Sequence, residues 1–171
     1  TELDDFTSVS GYKRVKDIVD EYDNVVIVAS FPCTGGCPWN CDVNINNPKA
    51  WPNIKKHWKL FDRLWKNFDR LFRETEKQVP TVMEWPRVCR YWLIKRVISR
   101  LRKHKMKFVD FDGCTMGLDS ILELDKMIKK PWTLSTDIPQ VIELFGEHRC
   151  DGKDHAHAVC RGKDAIRSQY Y

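Results

Sequence analysis

The chain has 171 residues, 42% of them hydrophobic and 31% charged, with a formal net charge of +5; this is the composition of one folded domain, residues 1–171, and excludes a disordered or low-complexity segment. No apolar run approaches the roughly 20 residues of a membrane span, and the opening residues lack the basic-then-apolar pattern of a secretory signal. Seven cysteines, an odd number, point to free thiols or a metal site in a reducing intracellular compartment rather than to a disulfide framework. The charge is uneven: residues 51–107 carry 17 basic and 5 acidic side chains, whereas both flanking segments are net acidic.

In chain order, Thr7 or Ser8 is a fair N-cap for a helix from about Gly11 to Tyr22 with Val15, Ile18 and Val19 facing a core. The run 25–30 (Val-Val-Ile-Val-Ala-Ser) predicts a buried strand that stops at Phe31-Pro32-Cys33-Thr34-Gly35-Gly36. Residues 33–53 form a long connection rich in Asn, Pro and Gly, and connections of that length are more often functional than idle. Ile54, Trp58, Phe61, Trp65, Phe68 and Phe72 recur at steps of three and four and predict a helix over 54–74, the aromatic stripe being core rather than a platform for stacking bases.

Thr81–Pro86 predicts a second strand, 88–104 a second basic amphipathic helix, Lys107–Phe111 a third strand, and Lys129–Thr136 a fourth. A short helix near Gln140–Phe145 precedes a Cys/His-containing tail, 146–171. Strands alternating with helices imply an α/β class with a largely parallel sheet. Right-handed crossovers then bring the loops after Ser30, Glu84 and Phe111 to one edge, so that Cys33, Glu84 and the Asp112-Gly113-Cys114 turn share a crevice.

Three constellations carry chemistry. A thiol after one strand and a carboxyl group at the end of the next suit a cysteine nucleophile, whose anion a glycine-rich loop of free N–H groups would favour, paired with an acid for a heteroatom of a ring. The alternative is an inert thiol and a surface glutamate. Cys150, His155, His157 and Cys160 fall within eleven positions and make a candidate tetrahedral zinc site. The alternative is a polar loop with incidental Cys and His. The basic middle, including Lys55, Lys59, Arg63, Arg87, Arg90 and Arg96, points to phosphate contacts with nucleic acid. The alternative is a solvated helical surface.

The ordered set Asp5-Phe6-Thr7-Ser8, Val28-Ala29-Ser30-Phe31-Pro32-Cys33, Met83-Glu84-Trp85-Pro86, Asp112-Gly113-Cys114-Thr115-Met116-Gly117-Leu118 and Lys130-Pro131-Trp132-Thr133-Leu134-Ser135-Thr136 resembles the catalytic half of cytosine-5 DNA methyltransferases. It looks most like the divergent methyltransferase-like domains of phages and retroelement polyproteins. The resemblance implies a Rossmann-like methyltransferase-type sheet with flanking helices. It implies Cys33 as the nucleophile on cytosine C6 and Glu84, here in Glu-Trp-Pro rather than Glu-Asn-Val, as the group holding N3 of a flipped-out base. It also implies S-adenosylmethionine as methyl donor, with Asp5 and Pro32 at the cofactor, and DNA as partner. The family's glycine-rich first motif should precede Asp5, so the sheet is expected to be incomplete at the N-terminus. The other reading is a catalytically inactive α/β module, a pseudoenzyme that binds nucleic acid or docks in a larger assembly, stabilised by zinc.

Overall fold

A computed structural model describes residues 1–168 of the chain. Helix α1 (Val9–Glu21) begins where Ser8, in an extended conformation, accepts a hydrogen bond from the Gly11 N–H at 2.9 Å, the N-cap arrangement that satisfies an otherwise orphaned helical donor. Strand β1 (Ile27–Ala29) follows. Helix α2 (Trp51–Glu74) carries Pro52 in its first turn and buries Ile54, Phe61, Trp65, Phe68 and Leu71, one stripe at helical spacing. Strand β2 spans Thr81–Pro86.

The single helix expected over 88–104 is instead a 3-10 turn (Arg90–Leu93) and a helix α3 (Lys95–Lys103), separated by Ile94 in an extended conformation. Tyr91 and Trp92 explain the break. Both are buried, and the Trp92 indole N–H reaches back to Pro86 O at 3.2 Å, which the regular continuation of a helix does not provide. Strand β3 (Lys107–Asp112) follows, then the short β4 (Met127–Ile128), β5 (Pro131–Thr136), helix α4 (Pro139–Gly146), β6 (His157–Ala158) and helix α5 (Gly162–Arg167).

The main sheet has the order β1-β2-β5-β3. β1 pairs with β2 in parallel, Ile27 opposite Thr81, and β5 runs antiparallel to both of its neighbours, with Glu84 and Val109 each opposite Leu134. The class is therefore mixed α/β and the pairing mostly antiparallel, which corrects the expectation of a largely parallel sheet. The reason lies in the β3–β5 connection. Residues 113–130 hold a 3-10 turn and β4 but no helix, and a parallel return needs a crossover, usually helical. β1, β2 and β3 nevertheless all run one way, because β2 and β3 are both antiparallel to β5, so their carboxyl ends lie along one edge.

Helices α2 and α3 cover one face of the sheet. There Ala29, Met83 and Trp85 join Phe61, Trp65, Phe68, Tyr91, Trp92, Val97 and Leu101 in the principal core. On the other face Val109, Phe111, Trp132 and Leu134 pack with Leu118, Ile128 and the α4 residues Val141, Ile142 and Phe145. β5 is buried on both faces, as a central strand should be. β1 is an edge strand whose outer face is open: Val28 is 72% exposed. No described helix is long and apolar enough to cross a membrane.

Candidate active site and metal cluster

The open face of β1 and β2 is the floor of a cavity of about 670 Å³, walled by Pro32, Cys33, Glu84, Gly113, Lys130 and Trp132 among others. Strand alternation explains the placement. Met83 and Trp85 point to α2 and α3, so Val82 and Glu84 point the opposite way. The thiol after β1, the carboxyl group of β2 and the turn after β3 thus meet in one cavity.

Glu84 accepts a hydrogen bond from Ser30 Oγ at 2.5 Å. Burial pushes its carboxyl group above the ordinary carboxylate range, and the Ser30 hydroxyl and the Lys130 ammonium only partly oppose this. The cavity therefore keeps a proton on Glu84 more readily than water does. Lys130 itself donates to Ser168 O at 2.7 Å and lies 4.8 Å from the centre of the Trp132 ring. Sequence reasoning passed over Lys130 as a site residue, although Lys130-Pro131-Trp132 marked the segment.

The loop carrying Cys33 is held from three sides. The Trp85 indole N–H donates to Phe31 O at 2.9 Å, the Trp58 indole N–H to Gly35 O at 2.6 Å, and Cys41 Sγ lies 3.2 Å from the same carbonyl. Gly35 and Gly36 are required by close approach. A Cβ on Gly35 would lie 2.3 Å from Tyr91 Oη, and one on Gly36 would lie 2.6 Å from Cys89 Sγ. The Gly36 N–H is committed to Cys33 O at 2.8 Å. The glycines therefore serve packing, and Gly36 does not offer its N–H to a thiolate as the sequence suggested. Burial pushes the Cys33 thiol pKa up, the Glu84 charge adds to this, and its own backbone N–H and Lys130 pull the other way.

A direct consequence concerns pH. Below its pKa a thiol reacts in proportion to its thiolate fraction, so Cys33 should alkylate more slowly at pH 7.5 than an open cysteine. Above the pH at which Glu84 ionises, Glu84→Gln removes a neighbouring negative charge and should accelerate alkylation about 3- to 10-fold, equivalent to roughly half to one pKa unit, whereas below it the two rates should coincide. Peptide mapping after a timed pulse of iodoacetamide measures this at Cys33 alone. A rate unchanged above that pH would mean that the two groups do not interact.

Asp5, expected at a cofactor, accepts from the Thr7 N–H and Thr7 Oγ1, both at 2.8 Å, and is absent from the cavity wall. It shapes the entry to α1. Pro32 does line the cavity.

The expected basic face is partly neutralised from within. Arg90 pairs with Asp42, Arg96 with Asp62, and Arg87 with Asp110 and Asp112. Arg100 pairs with Asp69 in the same way, so carboxylates of α2 meet arginines of α3. Lys55, Lys59 and Arg63 stay exposed along α2. Three of the six cations expected to meet phosphates are thus engaged with carboxylates of the same chain.

A second cluster lies beside the turn after β3. The ligating atoms of Cys114, Cys150, His155 and His157 all fall within 4.8 Å of one another, and the group can hold a metal ion. Cys150 Sγ lies 3.4 Å from His157 Nε2 and 3.7 Å from His155 Nε2. The expected fourth ligand was Cys160, but Cys160 is exposed and its Sγ sits 3.6 Å from Ser168 Oγ. Cys114 takes that place. It belongs to the 3-10 turn Gly113–Met116 at the end of β3, and only the fold brings it to a segment 36 positions away.

No family model, curated protein or solved structure matches the chain.

Proposed function

We propose that the cavity is the base-binding and covalent-addition centre of a cytosine-5 DNA methyltransferase-like domain, with Cys33 as the nucleophile and Glu84 as the acid at ring N3. The observation that carries this reading is the meeting of Cys33, Glu84 and Gly113 in one cavity, from three strands that run in one direction, as a Rossmann-like sheet presents a site at its carboxyl edge. The raised Glu84 pKa supports it too, since an acid that donates to N3 must hold a proton at neutral pH.

In the proposed chemistry the Cys33 thiol first loses its proton to solvent. The thiolate forms a bond from Sγ to C6 of an extruded cytosine while Glu84 gives its proton to N3. The C5=C6 pair shifts to C4=C5 and the C4=N3 pair passes to N3, where it takes the proton, leaving a neutral enamine and the Glu84 carboxylate. Protonation at C5 by water and the reverse steps return cytosine, with its C5 hydrogen exchanged. Burial works against ionisation of the thiol, and the Lys130 ammonium is the charge that favours it.

S-adenosylmethionine is the methyl donor that the resemblance implies. Of the two residues expected to touch it, Pro32 lines the cavity and Asp5 is bound into the Thr7 turn. The described residues do not fit that cofactor, and no methyl-transfer step is assigned to this chain.

The test needs no methyl donor. A DNA duplex carrying pyrimidin-2-one in place of cytosine should form a denaturation-resistant adduct through Cys33. Glu84→Gln should slow that adduct by on the order of 100-fold or more, the usual weight of a general acid, without slowing simple alkylation of the same thiol. If the chain forms no adduct and exchanges no cytosine C5 hydrogen, the reading is wrong, and the inactive α/β module takes its place.

A further inference from the structure

The geometry points to a structural zinc site, Cys114–Cys150–His155–His157, that clasps the segment 149–158 onto the turn forming one wall of the cavity. This goes beyond the catalytic reading and does not depend on it.

The spacing of the donor atoms is the first argument. Zinc takes thiolate sulfur at about 2.3 Å and imidazole nitrogen at about 2.0–2.1 Å in a tetrahedron, and these lengths give S···N edges of about 3.6 Å. The two measured edges, 3.4 and 3.7 Å, straddle that value. Two thiols and two imidazoles are also the donor set that selects zinc over oxygen-preferring cations. Four protein ligands leave no open coordination position, and Cys114 is 2% exposed, so the site is closed and structural.

The alternative without metal is a hydrogen-bonded thiol network, and it gathers three partners on one weakly accepting sulfur. Cys150 Sγ faces both ring Nε2 atoms and also accepts from the Gly152 N–H at 3.3 Å. Such a network requires one imidazole to present its Nε2–H to the sulfur while the thiol proton goes to the other. A single divalent ion replaces both thiol protons, and two thiolates balance its charge.

The ligands are also held in place from outside. The Cys150 N–H donates to the buried Asp112 carboxylate at 3.0 Å, and Lys129 Nζ donates to Cys150 O at 3.0 Å. Thr115 Oγ1 donates to His148 O at 3.0 Å. β4 and β6 pair in parallel with Met127 opposite His157, which fixes the strand bearing His157. Such outer contacts orient metal ligands before the ion arrives. Gly113 and Met116, on either side of Cys114 in its turn, both line the cavity, so the ion would fix that wall.

The experiment uses the full chain. Elemental analysis after purification under reducing conditions should find about one zinc per chain, and chelation should lower the melting temperature. Cobalt(II) added to the chelated protein should give the intense visible bands of a tetrahedral site and a sulfur-to-cobalt charge-transfer band. This readout does not rely on a variant that folds. Cys114→Ser and Cys150→Ser should each weaken the metal at least 10-fold, while Cys160→Ser should bind as the parent does. A zinc-free protein that gives no tetrahedral cobalt spectrum would overturn the proposal. So would metal retained by Cys114→Ser and lost by Cys160→Ser, or a Cys114–Cys150 disulfide in the reduced preparation.

Discussion

Trp85→Ala should cost about 3–5 kcal/mol, the range for deleting a large aromatic side chain from a packed core, and so consume much of the stability of an ordinary domain. Trp85 is fully buried. Its ring meets Trp92 edge-on at 4.6 Å between centroids, Tyr91 at 5.5 Å and Phe61 at 5.9 Å, so no neighbour can swing in to fill the space without leaving another contact. Its indole N–H is also a hydrogen-bond partner of Phe31 O, two residues before the thiol. Trp85→Phe separates the two roles. It keeps most of the ring contacts and orphans that carbonyl, at about 1–3 kcal/mol, and should change Cys33 alkylation more than its stability loss explains. Urea unfolding followed by far-ultraviolet circular dichroism measures both variants. A loss below about 1 kcal/mol for Trp85→Ala would show that the residue is not the keystone of this core.

The second large effect lies at the opposite end of the site. Asp112 is 1% exposed and accepts from Arg87 Nη2 at 2.9 Å and from the Cys150 N–H at 3.0 Å. Burial alone would raise its pKa, but those donors and the charges of Arg87 and Arg149 outweigh it and hold the carboxyl below its ordinary value. Asp112→Ala leaves Arg87 with the Asp110 carboxylate, 3.2 Å from Nε, and the Phe111 carbonyl, and strips the Cys150 N–H of its acceptor. The expected loss is about 3 kcal/mol, the lower end for breaking a buried ion pair, because Asp110 remains. The measurement is again a denaturant midpoint, taken with metal content held constant. Arg87→Met leaves the buried Asp112 carboxylate with the Cys150 N–H and, at 3.7 Å, Arg149, so it should lose at least as much as Asp112→Ala; a clearly smaller loss would contradict this account of the pair.

How much of this was legible in the chain depends on the range of the physics. The α2 stripe and the Thr81–Pro86 strand are local patterns, and the structure has them at nearly the residues the periodicity indicates. The meeting of Cys33 and Glu84 needed only the direction of two strands and the alternation along one of them. The orientation of β5 was not legible. Pro131–Thr136 is buried on both faces, and such a run reads the same whichever way it points. The split of the second helix turned on where Trp92 could place its indole, a tertiary matter. Charge counting found the excess of lysine and arginine but not Asp62 and Asp69, which meet Arg96 and Arg100 only after α2 and α3 have packed, nor Asp42, which meets Arg90 between two connecting turns. Spacing likewise found three of the clustered Cys and His residues, and chose Cys160 because Cys114 is distant in sequence.

The short edge strand has a kinetic meaning. β3 and β5 are separated only by the short β4 segment, and their register closes a loop of 18 residues between Asp112 and Pro131, whereas β1 must find β2 across the whole of α2. Loop-closure entropy therefore favours the β3–β5 hairpin early and the docking of β1 late. With three residues and one neighbour, β1 is also the strand that peels away at least cost. The thiol and the carboxyl group sit on either side of that weakest seam, so the site comes together after most of the sheet and comes apart before it.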